Sequence, residues 1–247
     1  MTGIEQAADV VVIGLEPGSH RYRFAAVADF ASRCANEMSR AGLELTVEHD
    51  MAAWARHMRS AVAADGVNPA FDPEHNVLSP DSCRWLRVSD EAGAVVGCCA
   101  VRVFRTADFT ELIASMRLWF DPVPAWLRNY RLSLIVPPGT PTLSGRVGHL
   151  GGLWLRPDYR GRGLVAPLAR LARALAVDWF DATFDTGVMF RRIAQRPSLQ
   201  AAYGWVHRVP CTEGFFPPAG RDEYTFLGYS ERSQLFDLLA RTAFRQG

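Results

Sequence analysis

The chain has no lysine: all 27 of its basic residues are arginines. That removes Schiff-base and lysine-nucleophile chemistry and the Gly-Lys-Ser/Thr phosphate loop. The absence, together with the abundance of Ala and Pro, points to a coding bias, so each arginine is weaker evidence for function than usual. No Gly-x-Gly-x-x-Gly dinucleotide fingerprint is completed. Cysteines are few and unpaired in pattern: Cys34, Cys83, Cys98, Cys99 and Cys211 are odd in number and contain no Cys-x-x-Cys. A disulfide framework and a cysteine zinc site are excluded, no metal is expected, and a reducing compartment is. No apolar run approaches the ~20 residues that span a bilayer. Met1–Ala8 is polar and lacks a basic stretch leading into an apolar one, so a signal peptide is not expected and a cytoplasmic location is. The net charge of +1 and 49% hydrophobic content give no bias toward nucleic acid or membrane. A length of 247 residues suits a single domain, 1–247.

What is present is concentrated between Leu153 and Val165. An apolar strand, Leu153-Trp154-Leu155, runs through Arg156-Pro157-Asp158-Tyr159 into Arg160-Gly161-Arg162-Gly163-Leu164-Val165. A helix follows at once, since Leu164, Leu168, Leu171, Leu175 and Trp179 recur at helical spacing. Arg170, Arg173 and Asp178 fall off that stripe. Glycines turn backbone N–H groups toward a ligand, and a helix start adds unpaired donors and partial positive charge. The combination is an anion cradle suited to a phosphate or pyrophosphate.

Around it, the pattern predicts a strand at 9–15, a helix at 21–40 ended by Gly42, and a second helix capped by Asp50 that carries Trp54, Met58 and Val62 inward. A Pro-, Asn- and Asp-rich loop covers 66–82. Strands at 83–88 and 94–104 form a hairpin. A helix is expected at 109–120 within a proline-broken stretch, and strands at 147–155, 184–190, 205–209 and 224–228. A short helix lies at 198–202 and a last one runs from a Ser230 cap through Phe244. Cys98 and Cys99 point to opposite faces of one strand. His57 reads as structural, and Glu48-His49-Asp50 as helix-entry chemistry rather than a metal site. Trp119, Phe120, Trp126 and Tyr130 form an aromatic cluster that is either a local core or the roof of a substrate pocket.

The strand, the proline and the Arg-Gly-x-Gly-x turn into a long helix resemble the coenzyme A loop of the GNAT acyltransferase superfamily. Arg160, Gly161, Arg162, Gly163 and Leu164 match the family pattern; Val165 stands where Gly or Ala is usual. Leu199-Gln200-Ala201-Ala202-Tyr203-Gly204-Trp205 is similar to the family's Leu-Tyr-x-x-x-Gly-Phe segment. The order of elements also matches over nearly the whole chain. The resemblance implies an α/β (α+β) fold: a mixed, mainly antiparallel central sheet flanked by helices. An insertion at about 106–146 separates the third and fourth strands, and a C-terminal helix at about 230–244 is extra.

The resemblance further implies acetyl-CoA, or another acyl-CoA, as co-substrate. Its pyrophosphate would lie on Arg160–Val165. Its pantetheine would run along the fourth strand, with the main chain of Leu153, Trp154 and Leu155 as partner. The acyl group would pass to an amine, with a small-molecule or amino-acid-like acceptor as the expected partner; a homodimer stays open. Many relatives carry a Glu base on the fourth strand. Here His149 is the titratable residue there, sharing a face with Gly151, Leu153 and Leu155 if no bulge intervenes, and is the candidate base. The usual thiolate-protonating Tyr falls at Gln200, which leaves Tyr203 as the candidate acid. The alternative is a non-catalytic acyl-CoA-binding or regulatory module of the same fold.

Overall fold

The computed structural model describes residues 22–243; the expected strand at 9–15 lies outside them, and the last helix ends at Arg241, with Thr242 extended, short of the expected Phe244. The described elements are α1 (Ala25–Arg40), β1 (Glu44–Glu48), α2 (Met51–Ser60), β2 (Cys83–Ser89), β3 (Val95–Thr106), α3 (Phe109–Ala114), β4 (Ser133–Leu134), β5 (Gly145–Leu155), α4 (Val165–Phe180), β6 (Phe184–Phe190), α5 (Arg191–Ala194), α6 (Pro197–Tyr203), β7 (His207–Phe216), β8 (Arg221–Glu231) and α7 (Arg232–Arg241).

The strands form one sheet in the order β1-β2-β3-β5-β6-β8-β7-β4. Every neighbouring pair is antiparallel except β5 and β6. This is the mixed, mainly antiparallel sheet that the sequence implies. Each face buries its own core. On one, α1, α4 and α7 cover Leu86, Val101 and Leu150. On the other, α2, α3 and the insertion cover Trp85, Cys98, Ala100 and Val147. Cys98 and Cys99 divide between these two cores.

The helices form where the sequence expects them, with local corrections. The Asp50 carboxylate accepts from the Ala53 N–H at 2.9 Å and starts α2, but α2 stops at Ser60, leaving Val62 exposed instead of inward. α3 ends at Ala114 rather than 120, since Met116 takes a left-handed conformation (φ 66°). α7 is capped by Glu231, in a reciprocal box with Gln234, and not by Ser230. Ser230 is the penultimate residue of β8 and is buried. β1 has no counterpart among the expected elements; five residues at a sheet edge carry too little alternation to register.

The largest correction concerns α4. Arg173 and Asp178, which fall off the apolar stripe, are buried all the same. The helix is sandwiched between the sheet and α1 with α7, so it has no fully exposed side. Both charges are satisfied internally. Asp178 accepts from the Arg23 and Phe24 N–H groups at 2.8 and 3.0 Å. Arg173 forks onto Asp185 at 2.5 and 3.1 Å and reaches Ser230 at 3.2 Å and the Tyr203 carbonyl. Trp205 donates to the same Asp185 carboxylate at 2.8 Å.

In the insertion, Trp119 and Phe120 are core residues, with Trp119 edge-on to Phe216 at 4.9 Å. Tyr130 donates to the Phe215 carbonyl, and Trp126 is 69% exposed. The four aromatics therefore do not form one cluster. Among the described residues no helix is long and apolar enough to cross a membrane, and no group of His, Cys, Asp or Glu is placed to hold a metal ion.

Candidate active site

β5 builds the site in two steps. The first is a bulge. Cys98 pairs with Trp154 and Ala100 with Gly151, so three steps on β5 oppose two on β3. Gly152 supplies the required left-handed backbone (φ 58°). Its neighbours leave no room for a side chain: a Cβ on Gly151 would stand 2.3 Å from Phe71, and one on Gly152 2.2 Å from Trp54. The bulge shifts the alternation. His149 and Trp154 face the α2 side, whereas Leu153 and Leu155 pack against the α4 side. The expectation that His149 shares a face with Leu153 and Leu155 is therefore corrected.

The second step is a divergence. β5 and β6 pair only at Val147–Phe184, Gly148–Asp185 and His149–Thr186. Beyond His149 the β6-facing edge of β5 has no strand against it as far as Leu155, the end of the strand. It presents main-chain groups that an extended ligand could pair with.

The chain then turns through Pro157–Tyr159 into the glycine loop. Gly161 and Gly163 adopt φ of 78° and 83°, and nothing lies within 4 Å of where a Cβ would be. They serve the turn and leave open space above it. α4 starts at Val165 with Leu164 as its cap and no side-chain hydrogen bond to its first turn. Pro167 in that turn has no N–H, so the free donors are fewer than the usual four, with Val165 and Ala166 foremost. Arg162 lies over the Tyr159 ring at 4.3 Å, exposed and able to swing. Arg160 donates to the Leu155 carbonyl at 3.1 Å and to that of Ala63 at 3.4 Å.

That last contact belongs to a strap the sequence did not reveal. The segment 61–66 follows α2. Trp154 Nε1 donates to the Val62 carbonyl at 3.0 Å, and Asp65 pairs with Arg192 of α5 at 2.5 Å. Trp154 and Arg160 belong to β5 and the loop after it, and Arg192 follows β6, so the strap bridges the open end of the divergence. No local pattern signals a pair separated by 127 positions.

His149 is 2% exposed. Phe71 stacks on it at 5.9 Å, and Phe104 and Phe109 pack against it. Thr186 donates its hydroxyl proton to the Gly148 carbonyl at 2.9 Å, so the 3.3 Å contact between Nδ1 and that hydroxyl has the imidazole as donor. Burial, reinforced by the Arg102 guanidinium, pushes the pKa of His149 down to about 3. The ring stays neutral and is a poor proton acceptor, which opposes the base role expected from the sequence.

Tyr203 sits elsewhere. It ends α6 and stacks on Trp205 at 4.8 Å against the α4-side core. Burial, with Cys99 beside it, pushes its phenol well above the usual range. His149 and Tyr203 thus lie in different cores, and the structure does not bring the expected base and acid together. Gln200, at the family's Tyr position, donates to the Ala194 carbonyl. His57 is half-buried edge-on to Trp154 at 4.9 Å, its pKa lowered by burial and Arg87.

The model of the acetyltransferase (GNAT) family matches residues 48–188, which include β5, the glycine loop and α4. Solved structures of similar shape include Arabidopsis thaliana NAA60 in complex with acetyl-CoA, 12% identical over 77% of this chain and 99% of that one, with a TM-score of 0.48. A GNAT-family acetyltransferase from Streptococcus pneumoniae is 13% identical over 76% and 100%, with a TM-score of 0.40. A Vibrio cholerae SpeG chimera, a spermidine N-acetyltransferase, is 11% identical over 79% and 99%, with a TM-score of 0.42. No curated protein matches the sequence. The family model spans more than half of the chain and its central strand, loop and helix, and on that ground the chain belongs to the GNAT acetyltransferase family.

Proposed function

We propose that this protein is an acyl-CoA-dependent N-acyltransferase, with acetyl-CoA as donor and a primary amine of a small or amino-acid-like molecule as acceptor. One observation carries the reading: a strand that parts from its neighbour after three pairs and leads into an open glycine loop at an uncapped helix start. A diphosphate fits that loop, because left-handed glycines with free space above them and bare N–H groups at a helix start are an anion site. Val165 and Ala166 supply N–H donors, and Arg162 supplies mobile charge. The main chain of Leu153–Leu155 offers pairing for an extended pantetheine arm.

Bound acyl-CoA supplies a thioester already activated for direct attack by an amine. The chain's contribution is orientation and exclusion of water. The strap and the aromatic wall of Trp54 and Phe71 close the α2 side of β5. With His149 held neutral and Tyr203 remote from it, the amine proton goes to solvent as the C–N bond replaces the thioester C–S bond, the departing CoA thiolate is protonated by water, and His149 is a positioning residue that fixes Thr186 and the end of the β5–β6 pairing. The same two features favour a second reading, an acyl-CoA-binding module without turnover.

Calorimetric titration with acetyl-CoA, with Gly163→Asp as control, tests the cofactor site. Saturable binding lost in the variant supports it. Release of free CoA with an amine panel then separates enzyme from binding module. Absence of binding for acetyl-CoA and longer acyl-CoAs overturns both.

A further inference from the structure

A cleft of about 180 Å³ lies at the opposite end of α4 from the glycine loop, lined by Asp81, Arg84, Val103, Arg105, Arg146 and Trp179. Three adjacent strands each bring an arginine to it. Arg84, the second residue of β2, lies opposite Val101 of β3, and Arg105 of β3 is paired directly across from Arg146 of β5. All three side chains stand on the α4 face, the one that carries Val101 and Leu150.

Directly opposed like charges destabilise an antiparallel pair, because their Cβ atoms stand only about 5 Å apart. A mixed-charge neighbourhood would relieve this, but the carboxylates present fall short. Asp181 pairs with Arg146 at 3.3 Å but also with Arg232 at 2.8 Å, so one carboxylate serves two guanidinium groups. The Arg105 side chain is exposed and makes no hydrogen bond or ion pair among the described residues. Arg84 lies over the Trp179 ring at 4.7 Å and spends only its Nε, on the Pro80 carbonyl at 3.0 Å. Asp81 sits exposed at the rim, outside ion-pair distance of any of them. Burial lowers the Arg84 pKa despite Asp81, the mark of a cation short of compensation. Guanidinium forks converging from three strands onto a compact volume match an oxyanion that accepts from several directions.

We propose that this cleft is a second anion site, distinct from the glycine loop, that binds a compact phosphate-type oxyanion between Arg84, Arg105 and Arg146. The small volume, walled on one side by Trp179 and Phe180, favours such an ion over an acidic peptide, which needs an extended groove. The site is independent of the acyl-CoA reading, since it uses none of the same residues.

The test is titration of the full chain with inorganic phosphate, followed by calorimetry and by the shift in Tm. Gly163→Asp disables the glycine loop as an anion site, and phosphate binding at the cleft is expected to remain in that variant, with one site left to titrate. Arg105→Gln, at an exposed position that does not threaten folding, is expected to weaken phosphate at least tenfold. Without phosphate the same variant is expected to melt no lower than the parent, because it removes a repulsion; in the Gly163→Asp background, where the loop no longer takes the anion, saturating phosphate should raise the Tm, and adding Arg105→Gln should abolish that rise. The proposal is overturned if phosphate binding is absent, if it is lost in Gly163→Asp but kept in Arg105→Gln, or if a triglutamate peptide binds the cleft more tightly than phosphate.

Discussion

At its first turn, α4 leaves N–H groups with no side-chain cap, beneath glycines with empty space above them. Two turns further on, the same helix buries Arg173, and there the guanidinium is met by Asp185, Ser230 and the Tyr203 carbonyl, with Trp205 completing the Asp185 carboxylate. Both regions are rich in polar groups at the edge of one core. They differ in whether the protein answers its own donors. Where it does, the polar groups hold the α4–β6–α6 junction together and have no capacity left for a ligand. Where it does not, the donors are exposed and oriented, and the capacity is available for an anion. In this molecule satisfaction, more than charge, separates architecture from site.

The comparison can be broken most forcefully at Asp185. Asp185→Ala strands a buried arginine, and unfolding in urea should show a loss of about 3–5 kcal/mol; a loss under ~1 kcal/mol would mean that Arg173 finds other partners and that the network is not structural. Gly163→Asp probes the other region and should do the reverse. Acetyl-CoA affinity should fall at least a hundredfold, about 2.7 kcal/mol, while the urea midpoint stays near that of the parent. Equal damage to stability would erase the distinction.

His149 gives a smaller, pH-dependent effect. Its folded pKa, about 3, lies below the ordinary value of 6.5. The unfolded chain therefore binds a proton that the folded one refuses between those values. Stability should fall as pH drops from 6.5 toward 3, by up to roughly 1.4 kcal/mol per pH unit. His149→Leu should flatten that slope, as read from urea midpoints across pH 4–7 (roughly the window the two values define). An unchanged slope would assign the acid sensitivity to other groups. Smallest is the rim pair: Asp65→Asn should cost under about 1 kcal/mol of stability. Its readout is instead the rate of ligand entry, which should rise and lose its salt dependence if the Asp65–Arg192 pair tethers the strap.

The sequence made the open region easier to read than the satisfied one. The glycine loop and α4 declare themselves locally, through Gly161 and Gly163 and the Leu168, Leu171, Leu175 spacing. Arg173 and Asp178 read only as residues off the apolar stripe, because nothing nearby in sequence shows that Asp185 and the start of α1 will meet them. The β5 bulge had one local sign, the Gly151-Gly152 pair, whose meaning depends on Phe71 and Trp54 arriving from other segments. β7 and β8 run to Phe216 and from Arg221, beyond the expected 205–209 and 224–228, because Pro210 and Gly214 interrupt the pattern without ending the ladder. The strap escaped notice for the same reason as the bulge: its partners, Trp154, Arg160 and Arg192, come from distant parts of the chain.

The extra residue in β5 also governs how this stretch of chain tolerates changes in length. Up to Gly151 the strand alternates in one phase, and from Leu153 in the opposite one. Deleting Gly152 would restore a single phase from Gly145 to Leu155. Leu153, Trp154 and Leu155 would keep their present faces, since Gly152 is the one residue in excess of the alternation; flattening the bulge with Gly152 retained would instead drive Trp154 into the space beside α4 and turn Leu153 and Leu155 toward Trp54 and His149. A one-residue insertion, or a gap between the bulge and Leu155, is thus equivalent to exchanging the contents of two cores, whereas loop 66–82 has no such phase to lose. Insertions and deletions should accumulate in the loop and be shut out of 153–155, a constraint set by counting residues along the strand, whatever their chemistry.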